Sequence, residues 1–294
     1  MAAAPLSLEA RGRTRRRKLV NRLAESSATL AALVAVAVLA VLVGSVFAKG
    51  AGALDLDFFT HGPAAFGQSG GGIAPALVGS LVLVGIAGAC ALPIGVLVAI
   101  YVSEFAPERL GRPIRVVLDV LNGFPSIVIG VFVFALLVTG RSQSGLAGSF
   151  ALGIIMLPLV ARAAMEVLEL VPDSLREAST ALGVSKWRTT LSIVLPSALG
   201  GILTGTTLAV ARAAGETAPL LFTSSIASTF VTWDPRQALQ SIPVTIFEYS
   251  EQPDPALHQQ AWAAAFVLIA FVLVTSLVAR GLLDRSRRKL GESR

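Results

Sequence analysis

Six stretches of this chain are long and apolar enough to cross a lipid bilayer, which leaves few folds open to it. They cover residues 28–48, 76–101, 116–139, 149–171, 197–223 and 261–283, against the roughly 20 residues that a helix needs to span the hydrocarbon core. Inside lipid every backbone amide and carbonyl must be satisfied within the protein, so spans of this kind are helices. The fold class that follows is all-α and integral to a membrane. Composition agrees: 54% of the 294 residues are hydrophobic and only 14% charged, where soluble domains carry about 25%.

The basic residues are distributed unevenly around these spans. With both termini on one side, that side holds seven Lys or Arg between Arg11 and Arg22, three in 102–115, three in 172–196 and six between Arg280 and Arg294. The other side holds only Lys49, Arg141 and Arg236, while Arg162 and Arg212 lie within spans. Basic residues near short loops stay in the cytoplasm, so both termini are expected there. The net charge of +6 flanks apolar spans and does not alternate with surface aromatics, which favours lipid headgroups over nucleic acid. Cys90 is alone, which excludes a disulfide framework or a cysteine metal site; it reads as a small buried apolar residue. No metal ligand set is legible, and His61 and His258 read as loop residues outside the spans.

The first span follows Arg15-Arg16-Arg17-Lys18 and superficially matches a secretory signal, but its apolar run exceeds the usual 7–15 residues. It reads as a retained helix. The domain plan is a basic tail (1–27), a first helix with its outer loop (28–72), a transmembrane domain (73–283) and a second basic tail (284–294), with a module boundary near residue 73 in the loop 49–75.

Four successive core spans contain helix breakers: Pro93 with Gly95, Gly123 with Pro125, Pro158, and Gly215 with Pro219. Proline frees a carbonyl that a neighbour must satisfy, so such sites point inward. They can also expose backbone dipoles to a passing ion, although Gly and Pro are common in membrane helices for packing alone. The fifth span carries Arg212 and Glu216 four residues apart, on one helical face. An arginine at a helix centre costs about 2.5–3.5 kcal/mol on insertion scales, so it needs a partner and a protein or water surround. Its planar fork suits an oxyanion. Arg162 and Glu166 repeat the spacing in span four, with Glu169 one turn on. No histidine accompanies a serine inside the spans, which excludes an intramembrane serine hydrolase, and no catalytic residue is assigned.

Between spans four and five, Ser174 and Glu177 have capping-box spacing, Gly183 is placed to end a helix, and Ser185 could cap a second short helix running to Pro196. A helix-turn-helix knuckle over 172–196 is expected. The residues alone allow either a handle that transmits a partner's motion or an ordinary connecting loop with Trp187 at the lipid interface. Glu177-Ala178-Ser179, Gly183, Ile193 and Leu195-Pro196, however, resemble the signature of binding-protein-dependent ABC importer permeases, with Ser179 replacing the second alanine. Over roughly 73–280 the chain further resembles phosphate-importer permeases of the PstA type, on Gly79-Ser80-Leu81, Pro93-Ile94-Gly95, Ala99-Ile100-Tyr101 with Glu104, Gly123-Phe124-Pro125-Ser126-Ile127-Val128, and above all Arg212-Ala213-Ala214-Gly215-Glu216-Thr217-Ala218-Pro219-Leu220.

The resemblance implies a six-helix type I importer permease of MetI-like architecture, in a bacterial plasma (inner) membrane. It also implies partners: a paralogous permease of the PstC type, two ATPases of the PstB type that hold ATP and Mg, and an extracytoplasmic phosphate-binding protein of the PstS type. This chain would bind no cofactor, since it has no Gly-x-x-x-x-Gly-Lys-Ser/Thr loop. Glu177, Ala178, Ser179, Leu182, Gly183, Lys186 and Trp187 would dock the ATPase, and Arg212, Glu216, Arg162, Gly215, Thr217, Pro125 and Ser126 would line the substrate path. Molybdate, sulfate or an ion-coupled secondary carrier are the rival readings.

Overall fold

The structure, a computed structural model, describes residues 13–63, 70–224 and 230–291. The tail before Arg13 and residue Arg294 lie outside them, as do the side chains of Arg280, Arg285, Arg287, Arg288 and Lys289. The chain divides into two compact units, Met1–Ala48 and Lys49–Arg294. Helix α1 (Arg13–Gly50) makes up the described part of the first. Its run of Ala, Leu and Val has no internal Pro, and its apolar side chains, from Leu30 to Leu42, are exposed, as suits a helix whose solvent is lipid.

The second unit opens with α2 (Leu56–Thr60), where Asp55 accepts a bond from the Phe58 amide at 2.8 Å. There follow α3 (Ala74–Ile100), α4 (Glu108–Gly123), α5 (Ser126–Val133), α6 (Gly145–Glu169), α7 (Asp173–Ala181), α8 (Lys186–Thr189), α9 (Leu195–Ala214), α10 (Ala218–Thr223), α11 (Ile242–Ser250) and α12 (Pro255–Gly291). Single π turns extend α3 through Tyr101–Phe105 and α5 through Phe134–Val138, and join α8 to α9 through Thr190–Val194. Among the described residues five helical stretches are long and apolar enough to cross a membrane, and the α4–α5 pair makes a sixth if counted as one broken span.

Helices α3, α6 and α9 form the centre. Leu83, Leu152, Met156 and Leu220 fill one half of their core, and Met165, Leu168, Val194 and Ile202 the other. Side chains added at Gly201 and Gly205 of α9 would strike Val167 and Ala163 of α6; the missing Cβ atoms let these two helices close up as small residues do in membrane bundles. The end opposite α7 is sealed by Phe58, Ile73, Ile242, Tyr249 and Ala263, by Lys49 over the Trp262 ring at 4.4 Å, and by Ser80, which accepts from the Ile242 amide at 2.8 Å. Burial pushes the Tyr249 hydroxyl up to about 12, with a smaller push from Glu248.

Five expectations change. Span 116–139 is not one helix: α4 and α5 meet at 96°. Phe124 and Pro125 are both extended, with ψ of 135° and 130°, because a residue before proline is driven out of helical geometry. Span 197–223 is also broken, since α9 ends at Ala214 and α10 starts at Ala218. By contrast, Pro93 and Pro158 lie inside unbroken α3 and α6, because neighbouring groups in a membrane bundle can re-satisfy a freed carbonyl. Lastly, Cys90 is exposed, not buried, and His258 falls in the first turn of α12; apolar helices in lipid need not hide every small apolar residue.

Candidate functional site

Two local constructions concentrate the polar chemistry. The first is the knuckle between α6 and α9. Helix α7 starts at Asp173, with Pro172 as its N-cap and no side-chain cap, so the Ser174–Glu177 capping box does not form: the helix begins two residues earlier than that box requires, with Ser174 already inside its first turn. Gly183 does end it, at φ +75°. The Gly183 amide donates to the Thr180 carbonyl at 2.9 Å and the Val184 amide to the Ser179 carbonyl at 3.1 Å, the paired bonds of a Schellman turn. Ser185 precedes α8 without capping it by side chain. The second helix does not stop at Pro196: Lys186 to Ala214 runs on as a single stretch, with Pro196 inside it, two residues past the π turn Thr190–Val194, so that the missing amide falls where the helical hydrogen-bond ladder already changes register.

The two faces of α7 differ. Leu175, Glu177, Ala178, Leu182 and Gly183 are exposed, as are Lys186 and Trp187 beyond the turn. Leu175, Ala178 and Leu182 recur at helical spacing, which makes one outward apolar stripe. Arg176 and Ser179 turn inward. The Ser179 hydroxyl lies 2.7 Å from that of Thr189 in α8, and both residues are buried.

Arg176 is saturated. Its Nε donates to both oxygens of Glu104, at 3.2 and 3.3 Å, and Nη2 donates to Glu104 Oε1 at 2.7 Å and to the Leu168 carbonyl at 2.9 Å. Nη1 donates to the Val171 carbonyl at 2.6 Å and to Asp173 at 3.0 Å. The Glu104 bond raises the Arg176 pKa, against the opposing effect of burial. Beside it, the Trp187 and Phe105 rings stand 5.7 Å apart, and Lys186 Nζ lies 5.6 Å from the Phe105 ring.

The second construction is the break after α9. Arg212 in the last turn holds Glu216 at 3.6 Å, with the arginine side chain 58% exposed and the glutamate 13%. At that distance the pair is ionic and not a hydrogen bond, so the guanidinium keeps its donors. Gly215 and Thr217 form the turn, and Thr217's carbonyl accepts from Leu220 and Leu221 as α10 begins. Pro125 and Ser126 lie at the other break, and a Cβ added to Gly130 in α5 would strike Pro219 in α10; the two short helices after the breaks therefore pack together.

Arg162 does not turn to Glu166. It pairs with Asp119 of α4 at 3.2 Å, and Arg115 pairs with Glu169 at 3.3 Å. Both partners come from the broken span, beyond what spacing within one helix can show. Among the described residues no group of His, Cys, Asp and Glu is arranged to hold a metal.

A family model for the binding-protein-dependent transport system inner membrane component matches residues 91–291. The chain belongs to that family. A phosphate transport system permease protein PstA of Haemophilus influenzae is 38% identical over 266 residues, which covers 90% of this chain and 94% of the relative. PstA 1 of Mycobacterium tuberculosis is 41% identical over 226 residues, 75% of this chain and 73% of the relative. Within the family this chain is of the PstA type. Its fold is shared with the MetNI methionine ABC transporter (TM-score 0.58, 17% identity, 73% of this chain and 94% of that one). It is shared too with a bacterial ABC transporter for the acidic polysaccharide alginate (TM-score 0.59, 14% identity, 91% and 99%). The chain is thus a multi-pass inner-membrane component of an ABC transport system, a permease subunit that works with other subunits.

Proposed function

We propose that this chain is the PstA-type permease of an ATP-driven importer, which carries inorganic phosphate inward after an extracytoplasmic binding protein delivers it. The observation that carries the reading is the open Arg212–Glu216 pair: a guanidinium held at 3.6 Å by one carboxylate, with most of its surface exposed. A planar fork with free donors matches an oxyanion's paired oxygens, and the adjacent carboxylate holds it in place while the site is empty. The phosphate transport names of the relatives support the same substrate.

Both termini and the α7 knuckle face the cytoplasm, by the excess of basic residues on that side. The outward stripe of Leu175, Ala178 and Leu182, with Glu177 beside it, docks a PstB-type ATPase. ATP and Mg bind and react there, in the partner subunits. A PstC-type permease pairs with this chain and a PstS-type protein feeds it. ATP closes the ATPases, the knuckle moves, and the paired permeases open outward to take up phosphate; hydrolysis returns them. Pro125, Ser126, Gly215 and Thr217 mark the helix breaks along the path, and Arg162, neutralised by Asp119, keeps the charge balance nearer the cytoplasm.

The test is phosphate uptake into vesicles holding this chain with its partners. Uptake should need ATP, fall with Arg212→Ala and be partly kept by Arg212→Lys. Unchanged uptake by Arg212→Ala at normal protein levels removes the arginine's role. Stronger competition by molybdate or sulfate than by phosphate replaces the substrate, and uptake without the ATPase replaces the transport class.

A further inference from the structure

The short π turn Tyr101–Phe105 ends α3, a helix that is separated in sequence from the knuckle by α4, α5 and α6. It is nevertheless where the knuckle grips the membrane domain most tightly. Glu104, only 5% exposed in its side chain, receives three donor contacts from Arg176 of α7. The next residue, Phe105, meets Trp187 and Lys186 of α8. Arg176 also closes the Leu168 carbonyl in the last turn of α6 and the Val171 carbonyl just beyond it, while Ser179 ties α7 to α8 through Thr189. The knuckle is therefore braced internally and clamped to two spans at once. A π turn widens the helix by one residue and recurs at functional sites; here it brings adjacent residues Glu104 and Phe105 against α7 and α8 respectively.

We infer that Arg176 is a positioning residue that yokes α7 to α3 through Glu104, so that movement of the knuckle is delivered to α3 as well as to α6 and α9, which are joined to it by chain. Alpha3 reaches the far end of the unit, where Ser80 holds the start of α11. A push on the π turn is thereby carried to the outer seal along one packed helix. The inference rests on the reading of α7 as the ATPase dock.

The experiment uses the complete importer in proteoliposomes, with external ATP hydrolysis and inorganic phosphate uptake measured on the same preparation. Arg176→Met and Glu104→Gln should assemble and hydrolyse ATP within about twofold of the parent, while uptake falls about tenfold, so that more ATP is consumed per phosphate moved. Arg176→Lys, which keeps the charge without the fork, should fall between. The double variant should match the worse single one, as residues acting as a unit do. An unchanged ratio of ATP to phosphate in assembled Arg176→Met and Glu104→Gln complexes overturns the yoke, as does a parallel loss of both activities with loss of assembled complex. Leu182→Glu, on the outward stripe, separates this from the docking reading. It should release the ATPase; if the ATPase stays bound and active, the dock itself is wrong, whatever Arg176 does.

Discussion

Arg176 and Arg212 are the same residue type, each near a carboxylate, and they are built for opposite purposes. Every N–H of the Arg176 guanidinium is engaged, by Glu104, Asp173 and two helix-end carbonyls, out of the five donors that an arginine has. Among the described residues Arg212 has one ionic neighbour, at 3.6 Å, and an exposed fork. A saturated arginine fastens helices together and has nothing left for a ligand. An unsaturated one beside a helix break has donors that are worth most when an anion arrives.

That contrast can be broken experimentally. The largest stability effect is expected from Glu104→Ala, which leaves a mostly buried guanidinium without its main partner. Losing one member of a buried pair costs about 3 kcal/mol or more, to be read as a lower melting temperature of the detergent-purified chain. Arg212→Ala should do the reverse: melting shifts less, by about 1–2 kcal/mol, since the pair is long at 3.6 Å and exposed on the arginine side, although Glu216, 13% exposed, loses its partner, while phosphate uptake falls about a hundredfold, the loss of roughly 3 kcal/mol of charged hydrogen bonding. If Arg212→Ala destabilised the chain as much as Glu104→Ala, the distinction would fail. A smaller effect belongs to Ser179→Ala, which removes the hydroxyl contact to Thr189 and should lower stability by about 1 kcal/mol. Least is expected of Asp119→Asn. Its half-exposed pair with Arg162 should cost under about 1 kcal/mol, and any larger change in uptake would mark Arg162 as part of the path.

The spans were readable because apolar length is a property of the local sequence, and so were the knuckle's end at Gly183 and the Arg212–Glu216 pair, which are set within one or two helical turns. The same breaker residues, however, gave different outcomes. Pro125 ends α4 and Pro93 leaves α3 intact, because the result depends on what neighbouring helices offer the freed carbonyl. Partners distant in sequence were not readable at all. Glu104 lies 72 residues from Arg176, and Asp119 on α4 meets Arg162 on α6. Glu104 was visible as part of a family pattern, but nothing in the sequence said what it held. Ser179 stands in the sequence only as a departure from the signature's alanine, and nothing there shows that its hydroxyl is buried against Thr189.

The 96° junction of α4 and α5 also bears on how the chain enters a membrane during synthesis. Within its membrane-crossing part α4 carries Asp119, with Arg115 at the edge, and charges of this kind resist partitioning from the translocon into lipid one segment at a time. Its counter-charges, Arg162 and Glu169, are made later, on α6. Helix α4 should therefore settle only after α6 has emerged. Ribosome-bound chains in which α4 has emerged but α6 has not should leave a cysteine introduced on α4 accessible to a water-soluble reagent, and chains in which α6 has also emerged should protect it.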